Sequence, residues 1–245
     1  MQIQVVILLF HLSIFPLFLH ADNEQNLYVW NRAGVAVYAE PSSSVAVDTL
    51  QYGSAIHIIE VGEEVKIPLF RYSSDTISYM YNFSSSWLYI EFSDGQRGYV
   101  SNTYLLPYPP TTTEVMNNYF GQLSDITDQR SVGQTEKFCS QMSYIYKNGI
   151  QYIYTDLGPC EACGQSLTEI ILPKWTLQQA FVFITNFNSQ LWDMDGMSVK
   201  NYLEQVTFTE VKESYPARFQ WEHVYDMVTL TETENGVEIR IDTVL

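Results

Sequence analysis

The sequence predicts two domains of different class: a small all-β barrel first, and an α+β domain in the rest of the chain. Three observations carry this prediction. Short alternating strands separated by turn residues fill residues 27–106, and a stretch rich in proline and threonine, "LLPYPPTTT", closes them off. Beyond it, two hairpins with Asn-Gly turns alternate with segments of helical periodicity. Antiparallel hairpins with two or three helices are typical of an α+β domain.

The composition restricts the partners. Of the 245 residues, 12 are Lys or Arg and 28 are Asp or Glu, so the formal net charge is −16. Such a surface repels phosphate backbones and anionic lipids, which excludes nucleic acid as a partner and favours a neutral or basic ligand. A hydrophobic share of 46% with 18 tyrosines excludes a disordered chain.

The first segment, "MQIQVVILLFHLSIFPLFLHA", contains no Asp, Glu, Lys or Arg and is followed by the polar "DNEQN". This pattern predicts a signal peptide over residues 1–21, with cleavage after Ala21. The alternative is a retained membrane anchor, because the apolar stretch is close to spanning length. Cleavage would leave no stable membrane insertion, and the protein would lie in the periplasm, in the cell envelope or outside the cell.

Residues 27–106 predict several short strands. In "VAVYAEPSSS", Val35 and Val37 alternate with smaller or polar residues before a turn. We expect Gly53 and Gly95 to adopt turn dihedrals, and Trp87 and Tyr99 to fill a core too small for aliphatic residues alone. Short strands with frequent turns indicate a closed barrel that removes exposed edges.

Several of these pieces recur in a known order. They are "GVAVYAEP" from Gly34, "LQYG" ending at Gly53, Trp87, "DGQRGYV" ending at Val100, and the final "YL". Together they resemble the bacterial SH3 (SH3b) family over residues 27–106. The resemblance implies an SH3-like small barrel that binds peptidoglycan or an envelope protein. Where the family often has Asn-Val-Arg, this chain has Ala-Val-Tyr, ending at Tyr38.

About 25 residues, 62–86, are inserted before Trp87 relative to that pattern, and they are rich in aromatic residues. The insert is either a binding loop or an additional hairpin packed on its own barrel or on the second domain. If it forms a binding face, the candidate binding residues are Tyr72, Tyr79 and Tyr81, with Trp87 beside them.

The sequence predicts a Pro/Thr linker over residues 107–113 and the α+β domain over residues 114–245. No family is recognised for this second domain. A capping box at Thr111 begins a first helix, and a second helix begins near Thr176. The remaining predicted elements are the hairpin "MSYIYKNGIQYIYT", a short helix "SVKNYLEQ", the strand "VTFTEV" and the hairpin "DMVTLTETENGVEIRIDTV".

The three cysteines are Cys139, Cys160 and Cys163. In an exported protein they predict a disulfide from Cys139 to Cys160 or Cys163, with one thiol left over. Two alternatives are a metal site, which would need further ligands such as His57 or His223, and a redox site at the C-x-x-C pair.

The same cysteines allow an enzymatic alternative. Many exported SH3b proteins are cell-wall peptidases with a catalytic Cys and a downstream His, and here His223 follows Cys160 and Cys163. However, Glu161 beside the sulfur disfavours a thiolate. The sequence therefore favours a non-catalytic binding or assembly protein of the cell envelope, without metal or cofactor. A cysteine-dependent wall hydrolase or thiol oxidoreductase is the alternative.

Overall fold

The structure is a computed structural model that describes residues 26–41, 43–73, 78–92, 95–110, 115–158, 164–191, 207–223 and 226–244. Within these ranges, only the backbone is described for residues 67–73, 78–81, 83, 188–191 and 223. The predicted signal peptide, residues 1–21, lies outside the described residues.

The first part of the chain forms one antiparallel seven-stranded sheet with the order β3-β2-β6-β5-β4-β1-β7. A 3₁₀ turn, Asn102–Tyr104, precedes the last strand. The strands are β1 (Leu27–Val29), β2 (Val35–Tyr38), β3 (Ala46–Leu50), β4 (Ala55–Ser73), β5 (Ser78–Glu91), β6 (Arg97–Ser101) and β7 (Leu105–Leu106). Gly53 and Gly95 have φ of 84° and 77°, which confirms their predicted turn conformations.

This sheet curls around its own core, because every strand contributes at least one buried side chain to a single cluster. The buried members are Val29, Val35, Val37, Leu50, Ile56, Leu88, Ile90, Val100 and Leu105. Strands β3 and β7 are not paired with each other among the described residues, so the expected full closure of the barrel is absent there. Phe92 and Tyr104 pack at the margin of the cluster.

The expectation that Trp87 and Tyr99 fill this core is wrong. Both alternate with core residues along their strands, so they lie on the opposite, outer face of the sheet and are only half-buried. Aliphatic side chains are sufficient because the backbones approach closely: a Cβ on Gly98 would lie 2.5 Å from Cγ1 of Val37.

The second part of the chain is an eight-stranded antiparallel sheet with the order β12-β13-β14-β15-β11-β10-β9-β8. The strands are β8 (Ile126–Val132), β9 (Ser140–Tyr146), β10 (Gln151–Asp156), β11 (Gln165–Pro173), β12 (Thr207–Lys212), β13 (Arg218–His223), β14 (Asp226–Thr233) and β15 (Gly236–Val244). The described residues contain two α-helices, α1 (Met116–Leu123) and α2 (Leu177–Leu191). Strands make up 57% of the structure, and the larger body is built on an eight-stranded sheet. The prediction of an α+β domain with two or three helices is therefore wrong, and the protein consists of two β-rich bodies. The third predicted helix, "SVKNYLEQ", lies outside the described residues.

Two unrecognised strands explain the error. Strand β8 is an edge strand that is exposed on both faces over most of its length, so its sequence "ITDQRSV" shows no alternation. Strand β11 carries Leu167 and Ile171 on one face and Ile170 and Leu172 on the other, so it also lacks a period of two. Both hairpins with Asn-Gly turns are present, as β9–β10 and β14–β15.

The two helices contribute to the large core of the second sheet. Helix α2 begins where predicted, with a capping box: the Gln179 backbone N–H donates to Thr176 Oγ1 (3.2 Å), and the Thr176 N–H donates to Gln179 Oε1 (3.0 Å). The aromatic members of the core are Trp30, Tyr119, Phe120, Tyr144, Tyr146, Trp175, Phe181, Phe183, Phe187, Phe219 and Trp221.

Trp30 joins the two bodies. Although it follows β1 of the first sheet, it is fully buried in the core of the second, 5.6 Å from the Phe183 ring. Its indole N–H donates to the Tyr108 carbonyl at 2.7 Å, and the Tyr108 ring stacks on Trp175 at 5.1 Å. The described part of the proline-rich segment is thus packed between the bodies.

Candidate functional site

Aromatic rings cover the outer face of the first sheet at strands β2, β6 and β5. We call this set the aromatic platform; it consists of Tyr38, Trp87, Tyr89 and Tyr99. Tyr99 lies opposite Tyr38 on one side and opposite Tyr89 on the other, so these three residues form a row across the strands. Tyr89 and Tyr99 have ring centroids 4.9 Å apart, and Tyr38 meets Trp87 edge-on at 5.6 Å.

A groove of about 190 Å³ adjoins the platform at Tyr38 and Trp87. We call it the aromatic groove. Its remaining wall residues are Asn31, Gly34, Val35, Ala36, Ser101, Thr103 and Tyr104. Burial raises the pKa of Tyr104 above its ordinary value of 10.0.

A second cavity, of about 360 Å³, lies between the first sheet and the start of α2. We call it the polar cavity. Its walls are Ser84, Asn102, Thr103, Leu105, Leu106, Thr176, Gln178 and Gln179. Thr103 contributes to the walls of both cavities, so the two adjoin each other.

A network of hydroxyl groups forms the wall between the two cavities. Ser101 Oγ lies 2.7 Å from both Ser85 Oγ and Thr103 Oγ1, and Thr103 Oγ1 donates to Ser85 Oγ at 3.0 Å. Asn102 Oδ1 accepts from Ser85 Oγ at 2.8 Å and from the Ser86 backbone N–H at 3.0 Å. This network holds the 3₁₀ turn against β5 and thereby fixes the positions of the polar groups in both walls.

Neither cavity has a charged side chain in its wall. At the border of the platform, Arg97 and Glu91 pair with each other at 2.9 Å, while Glu60 lies opposite Tyr89 on β4. The site therefore offers aromatic surface, hydroxyls and amides. Groups of these kinds bind and orient ligands in other proteins, and the walls of the two cavities contain no Asp, Glu, His, Lys, Arg or Cys.

The structure places the predicted binding residues at two separate locations. Trp87 belongs to the platform, whereas Tyr72, Tyr79 and Tyr81 lie on the outer part of the long hairpin formed by β4 and β5, and only their backbone is described. Trp87 follows Tyr81 by six positions along β5, which corresponds to roughly 20 Å. The prediction that Trp87 lies beside these tyrosines stays a prediction for the side chains.

The predicted chemistry at the cysteines is largely outside the described residues. Cys139 is disulfide-bonded, and its Sγ lies 2.6 Å from the Gly158 carbonyl oxygen. Its predicted partners, Cys160 and Cys163, are not described, nor is the side chain of His223. His57 is exposed on β4, and the described residues contain no group of three or more His, Cys, Asp or Glu side chains suited to a metal.

No family model, curated protein or solved structure matches the chain. In the part of the chain that the structure describes, none of the helices has the length and apolar character needed to cross a bilayer.

Sequence reasoning missed Tyr38 and Tyr89. The signal that identifies them is the alternation in "VAVY" and "WLYIE", in which Val37, Leu88 and Ile90 are core residues. Once those three are assigned inward, the intervening aromatic residues must face outward.

Proposed function

We propose that the protein is an exported, non-catalytic binding protein of the cell envelope, and that the aromatic platform with its groove holds the ligand, peptidoglycan. One observation carries the proposal. The buried core directly beneath the platform is entirely aliphatic, so the four rings on the outer face are not needed to fill it. Half-buried aromatic side chains grouped around a groove are typical of ligand sites.

Three expectations from the sequence support this assignment. The resemblance to the bacterial SH3 family implies peptidoglycan or an envelope protein as ligand, and the predicted signal peptide implies export. The net charge of −16 disfavours anionic polymers as alternative ligands.

The proposal is tested by cosedimentation of residues 22–245 with purified peptidoglycan sacculi. We expect Trp87→Ala to weaken binding roughly tenfold or more, because a central aromatic anchor typically contributes about 2 kcal/mol. Tyr38→Ala should weaken binding less. Tyr154→Ala, which truncates a half-buried tyrosine of the second sheet, is the matched control. Unchanged sedimentation of the Trp87 variant would contradict the proposal.

A second candidate function, binding of an envelope protein, is favoured by the backbone of the long hairpin. Tyr72 is paired with Tyr79 and Phe70 with Tyr81, so four aromatic residues occupy paired positions along a two-stranded ribbon. The test is a pull-down from envelope extract with the variant that replaces Tyr72, Tyr79 and Tyr81 by serine. Loss of a partner that Trp87→Ala retains would support this function, and an unchanged pull-down would count against it.

A further inference from the structure

We propose that the platform, the aromatic groove and the polar cavity together bind an uncharged glycan chain of several sugar units. This inference rests on the proposed function and narrows it, because it assigns the site to the glycan strand of peptidoglycan and not to the peptide stem.

The platform has the dimensions for sugar rings. The row from Tyr38 through Tyr99 to Tyr89 crosses three neighbouring strands, so it extends about 10 Å. Two pyranose rings fit side by side on such a row. One face of a pyranose presents only C–H groups, and these pack against aromatic rings by dispersion and by attraction to the electron-rich ring face.

The polar cavity supplies groups that match the rest of a sugar unit. Its amides, Asn102, Gln178 and Gln179, and its hydroxyls are donors and acceptors of the kind that bind sugar hydroxyl and acetamido groups. Since Thr103 lies in the walls of both cavities, the two are close enough for one glycan chain to reach both past the wall that separates them.

The charge of the protein favours the glycan strand over the peptide stem as the ligand of this site. The protein has a net charge of −16, yet neither cavity has an Asp, Glu, Lys or Arg in its wall. A peptide stem carries carboxylates, which would meet the repulsion of an acidic protein, and the Arg97 cation at the border of the platform is already paired with Glu91. An uncharged glycan avoids this cost and satisfies the hydroxyl and amide groups.

The test is calorimetric titration of residues 22–245 with linear β-1,4-linked N-acetylglucosamine oligomers of two to five units. We expect affinity to rise with length, because only longer oligomers reach both cavities. Trp87→Ala should lower affinity for every length by about tenfold or more. Gln178→Ala should lower affinity for the pentamer more than for the dimer, by about threefold to tenfold. Tyr154→Ala is again the control.

Three outcomes distinguish this inference from the proposed function. If sacculi bind through Trp87 but the oligomers neither bind nor compete, the glycan inference is overturned and the proposed function stands. If the oligomers bind with the same affinity at every length, the two-cavity arrangement is overturned. If neither sacculi nor oligomers bind, the proposed function itself fails.

Discussion

The two bodies use aromatic side chains in opposite ways. In the first sheet the buried core is aliphatic and the rings of the platform face outward, whereas in the second sheet tryptophan, tyrosine and phenylalanine fill the space under two helices. The curled first sheet encloses a core that small aliphatic side chains fill, while the packing of two helices on the second sheet creates a layer that large aromatic side chains fill. The four rings of the platform are therefore partly exposed to solvent, whereas the aromatic rings of the second core are enclosed by protein.

Trp30 tests the contrast between the two bodies most directly, because this residue comes from the first body and is buried in the core of the second. We expect Trp30→Ala to cost about 3–5 kcal/mol of unfolding free energy, since it removes a fully buried indole. Trp87→Ala should cost less than about 1 kcal/mol, because its ring is on the outer face. Urea unfolding followed by circular dichroism measures both, and equal losses would show that Trp87 is structural.

Two neighbouring residues of β5 test whether its side chains alternate between the core and the outer face of the sheet. Leu88 is 2% exposed in the aliphatic core, and Tyr89 lies on the platform. We expect Leu88→Ala to cost about 2–5 kcal/mol, and Tyr89→Ala to cost about 1 kcal/mol or less. Chemical denaturation at one pH compares them, and a larger loss for the Tyr89 variant would reverse the assigned faces.

Alkaline pH should destabilise the aromatic core of the second body. Burial raises the pKa of Tyr146 to about 12, above its ordinary value of 10.0. Between pH 10 and 12 the unfolded chain loses this proton and the folded chain keeps it, so stability is intact below pH 10 and falls above it by up to about 2 kcal/mol.

Tyr146→Phe provides the control for this effect. It removes the titrating hydroxyl, which donates to the Asn117 carbonyl at 2.8 Å, so it should lower stability at neutral pH. It should also flatten the decline above pH 10. Urea midpoints measured from pH 8 to 12 test both effects, and an equally steep decline in the variant would exclude Tyr146 as its source.

The smallest effect concerns the start of helix α2. We expect Thr176→Ala to cost about 1 kcal/mol, because it leaves the Gln179 N–H without its cap. Thr176→Ser, which keeps the oxygen, should recover most of the loss. Thermal unfolding compares the stability of the two variants. Equal stability of Thr176→Ala and Thr176→Ser would show that the capping hydrogen bond does not stabilise α2.

The local sequence pattern was sufficient to predict the elements that depend only on neighbouring residues. The Asn-Gly hairpins, the turns at Gly53 and Gly95 and the start of α2 at Thr176 are where predicted. Each depends on a dihedral or a capping hydrogen bond within a few residues, which the sequence specifies without reference to the rest of the fold.

Only the tertiary structure decided which face of a strand is buried and what covers it. Strands β8 and β11 have no alternation, because one is exposed on most of both faces and the other is apolar on both. Trp30 and Trp87 are the same residue type in short β-rich segments, yet one is buried in the distant core and the other lies at the candidate site. Burial depends on contacts between residues far apart in the chain, and local periodicity does not encode those contacts.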